Sequence, residues 1–156
     1  MSPRFARLVT QLEDKLSAWR ELSERLKEAM DSSVPELFRT STVGKILHDF
    51  YTGLEDMFRT VAEETEEGLP QTDQWHRELL HIMTLEVPGV RPPVIPSELE
   101  DELLPYLRFR HLFRNVYGRL DWGRMEGLAL RMPDVMGRAS KSLESFLSYL
   151  RNLAEA

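Results

Sequence analysis

The sequence contains no cysteine among its 156 residues. Disulfide bonds, thiolate catalysis and the common cysteine-based zinc sites are therefore excluded. No apolar run approaches the roughly 20 residues that cross a bilayer, and the N-terminal residues lead into a charged amphipathic pattern instead of the apolar core of a secretory signal. We therefore expect a soluble cytoplasmic protein that does not act at a membrane.

Standard catalytic and cofactor motifs are also missing. There is no glycine-rich phosphate loop and no serine in a nucleophile elbow. His76 and His81 are five residues apart and fall on different faces of a helix, so we do not expect them to share a metal ion. His48 and Asp49 are adjacent, which points their side chains in different directions on a helix and favours two separate polar side chains on the helix surface over an acid–base pair. We expect no cofactor.

Acidic residues outnumber basic ones over the chain as a whole. The formal net charge is -6, which argues against indiscriminate binding of nucleic acid, because such binding needs a broad positive surface. A local basic site remains compatible with this balance.

Apolar residues recur every three or four positions through most of the chain, which predicts helices. The first predicted helix is long and ends near Met30. Later helix starts are predicted at Ser33, at Thr72 or Asp73, at Ser97 and at Asp121, with a helix break at Met132–Pro133. No stretch alternates as a strand does. We predict an all-α fold in a single domain spanning residues 1–156, an up-down bundle of about four long helices with short accessory ones.

Two stretches within this pattern carry proline. Four prolines lie between Val87 and Pro96, which excludes a helix there and forces an extended path. Because this loop is apolar, we expect it to lie against the bundle. Pro105 falls inside the helix that begins near Ser97, so we expect a kink or a separate short helix before it, and Gly118 is a plausible end for that helix.

A basic stretch on the same helix stands out in this acidic chain. Its cationic residues are Arg108, Arg110, His111, Arg114, Arg119 and Arg124, opposed over 17 residues only by Asp121. At helical spacing Arg110, Arg114 and Tyr117 share one stripe. Although a charged run is often only a solvated helix face, arginines at this density suit a phosphate or carboxylate partner, since a guanidinium donates two parallel hydrogen bonds.

Four segments taken together resemble the HepT-like branch of the HEPN superfamily: Asp49–Glu55, Trp75–Leu80, Val87–Pro93 and Tyr106–Gly118. The resemblance covers roughly residues 40 to 150. It implies a helical bundle that commonly forms a homodimer. Many members of that family are metal-independent ribonuclease toxins paired with a nucleotidyltransferase antitoxin, so the resemblance also implies an RNA substrate and a partner of that type.

The catalytic motif of the family is matched only in part. It consists of an arginine, four to six intervening residues and a histidine, and a tyrosine two residues further on can be adenylylated by the partner. Here Arg110 matches the arginine and Tyr117 the tyrosine, but Asn115 occupies the histidine position. Asparagine cannot exchange a proton as histidine does. Three explanations stay open: His111 serves instead, the protein is a catalytically silent HEPN module, or the asparagine is an introduced, inactivating substitution.

The leading hypothesis is therefore a HepT-like toxin, a metal-independent endoribonuclease that acts through a composite basic cleft at a dimer axis. In it Arg110 stabilises the phosphorane charge, Asn115 occupies the catalytic position, and Tyr117 is regulatory. His111, Arg108 and Arg114 would hold RNA. Two alternatives are a non-catalytic HEPN module that binds a nucleotide, RNA or a partner protein, and a structural bundle whose arginines merely pair with acidic residues.

Overall fold

The computed structural model describes residues 3–31, 33–65, 67–115 and 120–155, apart from the side chains at positions 114 and 115. These residues form the helices α1 (Pro3–Arg20), α2 (Leu22–Ala29), α3 (Glu36–Glu64), α4 (Trp75–Ile82), α5 (Glu98–Asn115) and α6 (Trp122–Glu155). Within these ranges there is no strand, and Val87 and Arg91 form an isolated β-bridge. The predicted all-α bundle is confirmed. Across the same residues, no helix combines the length and apolarity needed to cross a membrane.

Helix α3 lies at the centre of the bundle and contacts each of the other five described helices. Apolar side chains on several sides of α3 are buried: Val43, Ile46, Leu47, Phe50, Tyr51, Leu54, Met57, Phe58 and Val61. Full burial of one such side chain stabilises a fold by about 1.5–3 kcal/mol. The core is therefore built around α3, and the other helices cover it.

An aromatic group joins α3 to α1 and α5. The ring of Phe50 stacks on Trp19 with centroids 5.3 Å apart and tilts against Tyr106 at 4.9 Å. The indole Nε1 of Trp19 also donates to the Phe50 carbonyl at 2.7 Å. Gly53 permits this approach, because a Cβ atom there would lie 2.7 Å from Cδ1 of Trp19. The close packing of α1 on α3 therefore depends on a missing side chain.

Several predicted helix limits differ from the observed ones. The predicted first helix divides at Glu21 into α1 and α2, and α3 begins at Glu36 with Pro35 at its N-cap and no side-chain cap, so the capping box at Ser33 is wrong. Ser33 instead donates its N–H and its hydroxyl to Asp31. A short serine side chain can bond a neighbouring turn residue as readily as a helix end, which explains the difference.

The predicted break at Met132–Pro133 is also wrong, because α6 continues from Trp122 to Glu155. A proline inside a helix costs about 3 kcal/mol. Burial along α6 on both sides of Pro133, including Met132 and Met136, offsets that cost. Helix α5 likewise runs through Pro105 from Glu98, so no separate short helix precedes it. The predicted end at Gly118 lies outside the described residues.

The proline-rich loop lies against the bundle, as expected. The carbonyl oxygen of Met83 accepts hydrogen bonds from the N–H groups of Val94 and Ile95 at 2.9 and 3.2 Å. Both of these apolar side chains are buried. Gly89 turns the loop with a φ of 76°, a conformation that glycine adopts without strain.

Arg91 fastens this loop to the end of α3. Its side chain is fully buried and forms a two-point ion pair with Glu67, with Nε and Nη2 donating at 2.8 and 2.9 Å. The remaining N–H groups donate to the carbonyls of Ile82, Leu85 and Pro92. All five donors of the guanidinium thus have acceptors, which is the condition under which a buried charge is tolerated. The loop that follows α4 is therefore held in place.

Candidate functional site

A cleft of about 390 Å³ opens between the start of α4 and the middle of α5. It is lined by Asp73, Gln74, His76, Arg77, Leu104, Leu107, Arg108, Arg110 and His111. Three arginines and two histidines face one carboxylate in this set. The structure thus brings together three of the predicted site residues, Arg108, Arg110 and His111, on one wall of a basic cleft.

Two arginines at the cleft have no anionic partner among the described residues. Arg77 on α4 and Arg108 on α5 are both exposed, and neither forms an ion pair with any residue that the structure describes. His111 is exposed on the same wall. Unpaired guanidinium groups at the rim of a concave site attract anions, because each can donate two parallel hydrogen bonds to phosphate or carboxylate oxygens.

Arg110 differs from these two, because its charge is buried and paired. Its Nη1 and Nη2 atoms donate to the two carboxylate oxygens of Glu55 at 2.9 and 3.2 Å. The side chains are only 4% and 7% exposed, so water does not screen the pair. Glu55 lies on α3, and the contact ties the central helix to α5 directly beneath the cleft.

His76 completes this polar network from the third helix. Its Nδ1 atom lies 3.0 and 2.9 Å from the two oxygens of Glu55 and 2.9 Å from Nη2 of Arg110. The ring also lies against Trp75, with centroids 3.6 Å apart and the ring planes tilted by 31°. Glu55, His76 and Arg110 are called the Glu–His–Arg network below.

Tyr51 forms the floor of this network. Its ring centroid lies 5.1 Å from Cζ of Arg110, a distance at which a cation is attracted to the ring face. Its buried hydroxyl has no hydrogen-bond partner among the described residues. Burial, with the nearby charge of Glu55, raises the pKa of Tyr51 well above its usual value. The phenol therefore stays neutral and supplies no base at physiological pH.

The other predicted site residues fall at the end of α5 or beyond it. Arg114 and Asn115 belong to its last turn, but their side chains are not described. Tyr117 lies outside the described residues. The geometry of the predicted site therefore concerns Arg108, Arg110 and His111.

Sequence reasoning gave Glu55 no role in the site, and it considered His76 only for a metal ion shared with His81, which it rejected. A signal for Glu55 was present, since it lies four residues after Tyr51 and three before Phe58, two aromatic residues of the same helix face. A carboxylate at such a core position requires a cationic or donor partner. Nothing local in the sequence pointed to the contact between His76 and this carboxylate.

The remaining histidines lie elsewhere. His81 contacts Glu100 through Nδ1 at 2.8 Å. Nδ1 of His48 lies 3.1 Å from Oδ1 of Asp49, so the expectation that these neighbours point apart is wrong. Asp49 is also paired with Lys45 at 2.7 Å. In the part of the chain that the structure describes, no three histidine or carboxylate side chains come together as a metal site requires.

The described helices and the cleft define an all-α protein with a basic polar site on α4 and α5. The sequence model of the family described as HepT-like protein matches residues 42–150, which is more than half of the chain and includes every described residue of the cleft. The chain therefore belongs to the HepT-like family of the HEPN superfamily. Comparisons with curated proteins and with solved structures found no match.

Proposed function

We propose that this protein is the toxin of a toxin–antitoxin pair and that its cleft binds RNA and cleaves it without a metal ion. The observation that carries the proposal is the position of Arg77 and Arg108, which form no ion pair with the residues described by the structure, at the rim of a cleft with the motif arginine at its base. In a protein of net charge -6, this concentration of cations favours a phosphate ligand.

Each arginine has a distinct part in this proposal. Arg77 and Arg108 hold backbone phosphates from the two walls, because both are exposed and unpaired within the described residues. Arg110 stabilises charge at the reacting phosphate. Glu55 engages one N–H on each terminal nitrogen, and a guanidinium has five N–H groups, so the same side chain has the capacity to donate to a phosphate oxygen.

Neighbouring residues complete the proposed site. Arg114 adds a phosphate contact, and Asn115 contributes a hydrogen bond but no proton transfer. Tyr117 is the residue that a nucleotidyltransferase antitoxin would modify. Two copies of the protein place their clefts side by side across a two-fold axis, and the exposed apolar side chain of Leu112, next to His111 on α5, supports an interface at this end.

A second candidate function is binding without catalysis, in which the cleft holds a nucleotide, RNA or a partner protein. It is favoured by one specific observation: the charge of Arg110 is already compensated by Glu55, which lowers its need for an anionic ligand. With Asn115 at the motif position, the cleft would then bind anions without catalysing a reaction.

An assay with single-stranded RNA separates the two functions. Cleavage and binding are measured for the natural chain and for the Arg108→Gln and Asn115→His variants. Arg151→Gln is the matched control, because this arginine is paired with Glu13 outside the cleft. We expect Arg108→Gln to weaken binding several-fold and to reduce its salt dependence by about one phosphate contact, and Arg151→Gln to change neither.

The outcomes are distinct. Cleavage that depends on the cleft supports the nuclease, and Asn115→His should accelerate it. Binding that is lost in Arg108→Gln, with no cleavage by the natural chain or by Asn115→His, establishes the binding module. If Arg108→Gln and Arg151→Gln behave alike, the cleft is not the RNA site. Sedimentation and intact mass measured on the same preparation report dimer formation and adenylylation of Tyr117.

A further inference from the structure

One ring nitrogen of His76 is engaged by the protein, and the histidine is held from two sides. Nδ1 lies within 3.0 Å of both oxygens of Glu55. The ring face is covered by Trp75, and the guanidinium of Arg59 lies 5.6 Å from the centroid of that indole. A side chain fixed by a hydrogen bond and by contact with a neighbouring ring has a defined orientation.

The contacts to Glu55 favour one tautomer of His76. A carboxylate only accepts hydrogen bonds, so a hydrogen bond between Nδ1 and either oxygen of Glu55 forms only when Nδ1 carries the proton. Nη2 of Arg110 also lies 2.9 Å from Nδ1, but Glu55 already accepts from both terminal nitrogens of that guanidinium, so Arg110 does not need a lone pair on Nδ1 as its acceptor. With Nδ1 protonated in the neutral ring, the lone pair belongs to Nε2.

The position of Nε2 follows from burial. Nδ1 points to side chains that are 4% and 7% exposed, whereas the His76 side chain is 33% exposed and lines the cleft. The exposed part of the ring is therefore the edge away from Glu55, which carries Nε2. We propose that His76 is the proton carrier of this cleft and supplies the function for which Asn115 is unsuited; this inference rests on the proposed ribonuclease function.

In the proposed step, Nε2 of His76 accepts the proton of a ribose 2'-hydroxyl as its oxygen attacks phosphorus. The bond between O2' and phosphorus forms, and the bond between phosphorus and O5' breaks. The products are a 2',3'-cyclic phosphate and a 5'-hydroxyl, for which O5' takes a proton from water. His76 then releases its proton to water, so that no net proton is gained or lost.

Glu55 is a positioning residue in this scheme. It holds the imidazole through Nδ1 and stabilises the imidazolium that forms, as a carboxylate does for the base of a hydrolase triad. Arg110 links the same carboxylate to the phosphate side of the cleft. One buried carboxylate thus orients both the base and the cationic group.

The test is single-turnover cleavage of a short RNA by the natural chain and by His76→Gln, His81→Gln and His111→Gln. His81 is the matched control, because it lies on the same helix but contacts Glu100 away from the cleft. We expect His76→Gln to lose on the order of 10²- to 10⁴-fold in rate and His81→Gln to stay within twofold. Circular dichroism shows whether each variant is folded.

A second pair of measurements separates proton transfer from structure. Free imidazole should restore part of the activity of His76→Ala but none of that of Arg110→Ala. Independently of activity, ¹⁵N spectra of the imidazole groups should show His76 with a proton on Nδ1 and none on Nε2 in the neutral form.

Each contrary result has its own meaning. If the natural chain cleaves RNA and His76→Gln cleaves equally well, or if the loss occurs only in His111→Gln, the inference is wrong while the proposed function stands. A neutral His76 with its proton on Nε2 also overturns it, whatever the activity. If the natural chain cleaves no RNA, the proposed function has failed first, and the inference fails with it.

Discussion

Removing the carboxylate of Glu55 tests how strongly Arg110 depends on its buried partner. The change is Glu55→Leu, because leucine fills similar space without an acceptor, whereas glutamine would keep one. The two direct hydrogen bonds to Arg110, at 2.9 and 3.2 Å, would be lost, and a guanidinium only 4% exposed would be left without its carboxylate partner.

Breaking a buried pair by removing one partner destabilises a protein by about 3–5 kcal/mol, mostly because the remaining charge is uncompensated. Proteins of this size lose about 2–4 °C in Tm per kcal/mol, so we expect a fall of roughly 6–20 °C. Thermal unfolding measures the Tm and urea unfolding measures the free energy, both followed by circular dichroism at 222 nm, with the slope on denaturant checked for constancy.

The control is Glu64→Leu, which removes a carboxylate from the same helix. Glu64 is paired with Arg7 at 2.9 Å, and the Arg7 side chain is 60% exposed. A pair of that kind contributes at most about 1 kcal/mol. The double variant Glu55→Leu with Arg110→Met should recover most of the loss, since it removes the buried charge as well. If Glu55→Leu destabilises no more than Glu64→Leu does, the argument that Arg110 needs a counter-charge is refuted.

Three further predictions concern stability. Gly53→Ala should destabilise the protein by about 1–3 kcal/mol in thermal unfolding, because the new Cβ would lie 2.7 Å from the Trp19 ring. Gly137→Ala, with open space around it, should stabilise the protein by about 0.5–1 kcal/mol. Equal effects of the two substitutions would contradict this prediction. Burial raises the pKa of Tyr106 from 10.0 to about 12, so the stability that the neutral phenol contributes is complete below pH 10 and is lost as the pH rises to 12. The free energy of unfolding of Tyr106→Phe should therefore fall less steeply over that pH range than that of the natural chain. Arg91→Met should cost about 3–5 kcal/mol in urea unfolding by leaving its carboxylate partner unpaired, and a loss below 1 kcal/mol would refute this.

Local patterns in the sequence were enough to predict the helical architecture. Periodicity identified α3 and α5, and the predicted cap at Asp121 is confirmed by its acceptance of the Gly123 N–H at 3.0 Å. These features depend on residues a few positions apart. The predictions that failed, at Ser33 and Pro133, concern places where a competing turn contact or burial against other helices outweighs local preference.

The sequence predicted the site residues that lie on α5 but not those on α3 and α4. Charge density on α5 pointed to Arg108, Arg110 and His111, and the structure gathers them in one cleft. The pairing of Arg110 with Glu55 and His76 could not be predicted, because the three residues come from different helices and no local spacing relates them. Only the arrangement of α3, α4 and α5 brings them together.

The separation of these residues along the chain has a consequence for the order of folding. Contacts in the Glu–His–Arg network join residues 21, 34 and 55 positions apart. Helices form within about a microsecond from neighbouring residues, but contacts over such separations wait for loops to close and helices to dock. A chain whose helices have formed but whose α4 has not yet docked lacks the contacts that orient the His76 imidazole. Any activity of this site should therefore return later in refolding than the helices do. The delay between helix formation and the return of activity would measure the time that α4 takes to dock.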